Sequence, residues 1–265
     1  MTDPAPGPAE LSRAGLRLDA GQPAPGAVTL SLARPDRRNA QTPAMWRGLA
    51  AARHCLPEGT RVVVVRGDGP SFSAGIDLRL FTPGGVPGED GIPSPADPGF
   101  EEWIGTCQEG FTWLHDPDIV TVAAVRGHAI GAGFQLALAC DLRVLADDAQ
   151  LCMKEAALGL VPDLAGTKPL VDLAGLPRAL ELCLTARTVR ASEAARIGLA
   201  ELVVPAADLD AAVSDLVSAL LSTEPAVARA VKELLAGAPG RTLAGQAAAE
   251  RRTQAALQRA RAGQS

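Results

Sequence analysis

Apolar and polar positions follow two rhythms along this chain, one of period two and one of helical period, and the change between them organises the sequence. Residues 16–18 and 28–32 are short β-leaning apolar stretches separated by the turn-rich Gly21-Gln22-Pro23 region, which predicts a β-hairpin. The chain turns at Arg34-Pro35-Asp36, and a helical pattern then begins with Thr42 as N-cap and Pro43 at the first helical position, running to about His54. Residues 61–66, Arg-Val-Val-Val-Val-Arg, lie between Gly59 and Gly67. Successive β-branched apolar residues leave no polar face for solvent, so this run predicts a strand buried on both sides. Residues 119–125 repeat the pattern. Each strand is followed by Arg-Gly, a loop of small residues and a helical pattern: VVVVRGDGPSFSAGIDLRL first, VAAVRGHAIGAGFQLALA second. A strand–loop–helix unit is therefore expected twice.

Between the two units, residues 82–100 hold five prolines and five glycines, a composition that predicts a long surface loop or lid. Short strands are expected at residues 141–145 and 150–153. Helical patterns dominate from about Thr167 onward, with a short helix at 192–197 stopped by Gly198 and a last short strand at 202–204 before Pro205. Residues 242–262, rich in Ala, Arg, Gln and Glu, read as an exposed or subunit-packing helix. The resulting plan is a flexible Pro- and Ala-rich leader at residues 1–14, an α/β catalytic core at 15–205 and a C-terminal helical region at 206–265.

Composition narrows the functional classes. With 265 residues, 47% of them hydrophobic, the chain can bury a full core. No run of about 18 apolar residues and no cationic, apolar leader occurs, so no membrane association and a cytoplasmic location are expected. The five cysteines are scattered without Cys-x-x-Cys spacing, which suits reduced structural thiols. A formal net charge of −5 offers no basic field for a phosphate backbone, so nucleic acid is not an expected partner.

The candidate chemistry sits in the two small-residue loops and in one acidic stretch. A Gly/Ala loop leaving the carboxyl end of a buried strand puts backbone N–H groups where no side chain blocks an approaching oxygen. Two such loops could together hold an enolate or a tetrahedral oxyanion. The same small residues also serve close helix packing, and spacing alone leaves both readings open. The loops lack the Gly-x-Gly-x-x-Gly and Gly-Lys-Ser/Thr patterns of nucleotide sites. Glu155 and Asp163 stand out as charges within the largely apolar KEAALGLVPDLAGTKPL. Asp163 could equally cap a helix starting near Gly166. Ser71 and Ser73 have no adjacent base, and His54, His115 and His128 are dispersed, with His128 alone inside a Gly loop.

The landmarks RPDRRNAQ, FSAGIDL, VRGHAIGAGFQLALACDLRV, KEAALGLVPDLAGT and LTARTVRASEAARIGLAELVVP, in this order, resemble the crotonase (enoyl-CoA hydratase/isomerase) superfamily over nearly the whole chain. The resemblance implies a spiral ββα-superhelix core with a C-terminal helical trimerisation region, a homotrimer or homohexamer, an acyl-CoA substrate and no cofactor beyond the CoA of that substrate. It implies oxyanion donors at the backbone N–H groups of Ala74 and Ala132, and a thioester pocket lined by Gly75, Ile76, Asp77 and Gly131. Hydratases of the family use two glutamates; here Gln135 occupies the first position, able to hold a water, and Glu155 the second. An additional acid eight residues after the glutamate is similar to the dienoyl-CoA isomerases, which convert a 3,5-diene to a 2,4-diene. That branch often carries aspartate where Gln135 stands. The resemblance thus points to a double-bond isomerase with Glu155 acting near C2 and Asp163 at the distal carbon. The alternatives are an enoyl-CoA hydratase and a non-catalytic binding protein on the same fold.

Overall fold

The run of valines becomes the centre of a sheet, and the remaining strands assemble beside it. The computed structural model describes residues 8–263. It opens with helix α1 (Pro8–Arg13), the hairpin β1 (Leu16–Ala20) and β2 (Ala27–Leu32), helix α2 (Pro43–Ala52) and strand β3 (Val62–Gly67). Helix α3 (Phe100–Thr112), strands β4 (Val120–Val125) and β5 (His128–Ile130), helix α4 (Ala132–Ala139) and strands β6 (Leu142–Ala146) and β7 (Gln150–Cys152) follow. Helices α5 (Thr167–Ala174) and α6 (Leu176–Thr185), strand β8 (Val189–Arg190), helix α7 (Ala191–Arg196) and strand β9 (Leu202–Val204) complete the α/β part. Helices α8 (Leu209–Leu221), α9 (Pro225–Gly237) and α10 (Leu243–Ala262) end the chain.

One sheet has the order β1-β2-β3-β4-β6-β9 and is parallel except for the β1–β2 hairpin. A smaller sheet, β5-β7-β8, stands apart from it. Period-two alternation sends Val63, Val65, Ala123, Val125 and Leu145 into a core shared with Leu49, Phe72 and Phe134. Val62, Val64, Val122 and Val144 point the other way, onto Leu209, Val213 and Val217 of α8. Each of these buried aliphatic side chains contributes about 1.5–3 kcal/mol by leaving water, so the central strands are secured from both faces.

Several expectations change here. Residues 1–7 of the expected leader lie outside the described residues, and residues 8–13 form α1, whose Leu11 is buried in the main core. Within the helical region expected at 206–265, helix α8 covers a sheet face through Leu209, Val213 and Val217. After FSAGID the helical pattern yields only a single 3-10 turn at Leu78–Phe81, because Pro83, Gly84 and Gly85 end it. The second unit gains strand β5 before its helix, so His128 lies in a strand rather than a loop. Helix α3 was not anticipated: it buries only Cys107, Gly110 and Phe111, too little for a clear apolar stripe. Among the described residues no helix is long and apolar enough to cross a membrane.

Candidate active site

The segment RPDRRNAQ fixes the first small-residue loop. Arg38 and Asn39 take left-handed backbone angles, φ 49° and 54°. The buried Asn39 amide donates to the carbonyls of Asp68 and Ser71 at 2.9 and 2.8 Å, pinning the chain where it leaves β3. Gln41 then pairs with the loop as an isolated parallel bridge: its N–H donates to Gly75 O at 2.7 Å and its carbonyl accepts from Asp77 N at 2.8 Å. On the other side Ser73 pairs with β5, donating to His128 O at 2.8 Å and accepting from Ile130 N at 3.0 Å. The loop is an extra rung between Gln41 and the second unit.

These bonds decide which N–H groups remain for a ligand. The Ala74 N–H donates to Arg38 O at 2.8 Å, so the oxyanion donor expected at Ala74 is already spent within the protein. Gly75 N donates to Ser73 Oγ at 3.2 Å. Because Gln41 takes the carbonyl of Gly75 and the N–H of Asp77, the Ile76 N–H between them faces away from the bridge and has no acceptor among the described residues. In the second loop Gly131 N donates to Cys152 O at 2.8 Å, whereas Ala132 N, in the first turn of α4, likewise has no protein acceptor. The two loops touch at backbone level. A Cβ on Gly75, whose φ is 85°, would lie 2.5 Å from Ile130 O and 3.7 Å from Ala132 N. Of the two N–H groups expected as oxyanion donors, that of Ala132 is left without an acceptor among the described residues and that of Ala74 is not, while Ile76 N is left open beside it.

Both loops open on a cavity of about 330 Å³. Ala74, Gly75, Ile76, Gly131, Ala132 and Gln135 line one side. Trp46, Phe81, Ile92, Phe100 and Trp103 close an apolar end, with Trp46 and Trp103 edge to face, ring centroids 6.4 Å apart and planes at 63°. Trp46 is oriented by an indole N–H bond of 2.8 Å to Gln41 Oε1. The loop expected at 82–100 supplies Ile92 and Pro95 to this wall and is anchored, since Glu89 Oε2 accepts from Ala44 N at 3.0 Å at the first turn of α2.

Glu155 and Asp163, singled out from sequence, share this cavity with Lys154. Glu155 is buried, with Oε1 accepting from Gln135 Nε2 at 2.7 Å and Oε2 unpartnered. Desolvation by burial holds its carboxyl above the usual range, and the charge of Asp163 pushes the same way. Asp163 keeps much of its surface open to the cavity, yet the protein mass around that cavity raises its carboxyl too, again by desolvation. It does not cap α5, whose N-cap, Gly166, has no side-chain cap bond.

Other candidates fall outside the cavity wall. Asp77, expected there, is buried against Arg79 at 2.7 Å and Arg34 at 3.3 Å. Hydrogen bonding from Arg79 lowers its pKa to about 2, which marks a permanent anion pinning the loop. His128 Nδ1 sits 3.2 Å from Ser71 Oγ. His115, its pKa lowered by burial, lies in a separate groove with Asp141 and Lys232. Gln135 is more deeply involved than its sequence position suggests: its carbonyl also accepts from Leu164 N at 2.9 Å and Gly166 N at 3.3 Å.

A family model described as Enoyl-CoA hydratase/isomerase matches residues 24–264. Carnitinyl-CoA dehydratase from Salmonella typhi is 37% identical over 177 residues, which is 66% of this chain and 62% of the relative. The match thus spans less than two thirds of that protein's length. A solved structure from Thermobifida fusca YX, assigned as an enoyl-CoA hydratase and in complex with CoA, is 54% identical and covers 99% of this chain and 100% of its own, with a TM-score of 0.91. A second from the same organism, in complex with acetoacetyl-CoA, is 55% identical over 96% of this chain and 98% of its own, with a TM-score of 0.90. The α/β architecture is therefore that of crotonase-fold enoyl-CoA hydratases, as its motifs predict. Since both the family model and these structures extend over nearly all of it, the chain belongs to the enoyl-CoA hydratase/isomerase family.

Proposed function

We propose that this chain acts on an unsaturated acyl-CoA thioester by moving a proton at C2. In this reading the thioester oxygen gains charge against the N–H groups of Ile76 and Ala132, and Glu155 transfers the proton. Each preorganised donor of this kind is worth about 10²–10³ in rate. The observation that carries the reading is the sharing of one cavity by two unspent N–H groups, a buried carboxylate with a free oxygen and a second carboxyl. Both raised carboxyl pKa values suit groups that must hold and release protons nearer neutrality.

Within that class the reading favours double-bond migration of the 3,5-diene to 2,4-diene type, with Asp163 acting at the distal carbon. Gln135 supports it: a neutral amide whose oxygen binds two backbone N–H groups supplies no second acid for water. A second reading, addition or elimination of water with Glu155 as the sole glutamate, is favoured by the relatives, which are named hydratase and dehydratase. Incubation with a 2-enoyl-CoA and, separately, a 3,5-dienoyl-CoA, followed by absorbance and product mass, separates them. Conjugation without mass change supports the first, gain of one water supports the second, and silence with both rejects both readings in favour of another acyl group or a binding role. Under the first reading Asp163→Asn lowers kcat by about 10² or more.

We also propose self-association as a homotrimer or homohexamer. In support, Leu176, Leu180 and Leu184 repeat along one exposed face of α6, a placement that suits docking against another copy. Sedimentation as a monomer would refute it.

A further inference from the structure

We propose that Gln135 is a positioning residue that commits Glu155 to proton transfer through Oε2 and ties that carboxylate to the segment carrying Asp163. The proposal rests on Glu155 being the acid–base group, as above. Only the amide oxygen of Gln135 can accept from Leu164 N and Gly166 N, so its amino group must be the end that meets Glu155 Oε1 at 2.7 Å. The assignment of the amide ends therefore follows from the backbone around it. One Glu155 oxygen is occupied by a donor and the other is left unpartnered.

The segment is built around this amide. Ala165, with φ 63°, turns the chain so that the N–H groups on either side of it converge on one oxygen. A Cβ on Gly166 would lie 2.6 Å from Gln135 Cγ, so that position has room for hydrogen alone. From α3, Gln108 Nε2 donates to Asp163 O at 2.7 Å, fixing the other side of the same peptide. Gln135 itself is 1% exposed, which makes it part of the frame. The titratable groups around Glu155 are Asp163, the adjacent Lys154, Cys152 on β7 and Cys183 on α6; burial raises both thiols and keeps them neutral.

The test uses the full-length protein and butyryl-CoA in deuterium oxide, following incorporation of deuterium at C2 by mass as a function of pH. Glu155→Gln is expected to lower the exchange rate at least about 10²-fold. Gln135→Met, which removes both ends of the brace, is expected to lower kcat by about 10- to 100-fold with little change in KM. Gln135→Glu keeps an oxygen for Leu164 and Gly166 but sets a second carboxyl against Glu155. Two carboxyls sharing one proton move the acid limb of the profile upward by about one pH unit or more. A role confined to holding the segment would leave that limb in place, so a Gln135→Glu profile superimposable on wild type overturns the proposal, even if Gln135→Met fails to fold. Unchanged exchange in Glu155→Gln instead removes the Glu155 reading. Absence of exchange in the wild type removes the enolate reading, and this proposal with it.

Discussion

Replacing Gly75 by alanine probes the contact that joins the two loops. The added Cβ would stand 2.5 Å from Ile130 O, against about 3.5 Å for an unstrained contact, so one loop must retreat by close to 1 Å. The Ile76 N–H follows Gly75 directly and moves with it. A misplacement of about 1 Å costs about 10²-fold in rate, as does loss of one oxyanion donor, so kcat/KM should fall by about 10². Stability falls too: alanine at φ 85° costs about 1–2 kcal/mol, and overpacking adds about 1–3 kcal/mol. Gly88 separates the two effects, because it has nearly the same φ, 83°, with nothing within 4 Å of its would-be Cβ. Gly88→Ala should show the conformational cost alone and near-normal turnover. Gly133→Ala approaches from the first turn of α4, its Cβ 2.7 Å from Ser73 O, without a left-handed angle to confound it. Turnover would be followed with whichever thioester proves active, and stability by urea unfolding. If Gly75→Ala and Gly133→Ala both kept wild-type kcat/KM, the spacing of the loops would not matter to the reaction.

Three further outcomes follow from the packing. Glu155 ionises near 4.5 when unfolded and at higher pH when folded, so the native state holds the extra proton between those values and stability falls as pH rises through that window. Glu155→Gln should therefore be more stable than wild type at pH 8, a difference that disappears below pH 4.5; equal urea midpoints at pH 8 would contradict this. Arg143 is 2% exposed and bonded to Glu201 at 2.6 Å, so Glu201→Ala should cost about 1.5–3 kcal/mol by removing a charge-assisted hydrogen bond, measured as a lowered urea midpoint. Thr42 accepts from Met45 N at 3.3 Å, so Thr42→Ala should cost about 1 kcal/mol, with Thr42→Ser close to neutral.

The central strands were legible because four consecutive valines suit only a strand buried on both faces, and α2 because Thr42-Pro43 writes its own start. Helix α3 was hidden because its contact with α2 depends on smallness, Gly110 lying against the Trp46 carbonyl, and smallness leaves no apolar period. The cavity's acids were visible as charges in an apolar stretch, and family motifs located the loops. Which N–H faces the cavity was not visible. That choice depends on the pairing of Gln41 with Ile76, across 35 positions of sequence, and on the left-handed turn at Gly75. The brace made by Gln135 was equally hidden, because the partners of its amide come from residues 155, 164 and 166, none of them near it in sequence; one of its two amide N–H donors is left over.

The edge-to-face pair in the cavity wall has an optical consequence. The chain contains three tryptophans and no tyrosine, and two of the three, Trp46 and Trp103, face the same space. Its ultraviolet emission therefore arises chiefly from the walls of that space, so binding of the proposed thioester should be readable by titration of the unlabelled protein. Trp113 is the one remaining indole outside it, and Trp113→Phe would leave a signal that reports on the cavity alone.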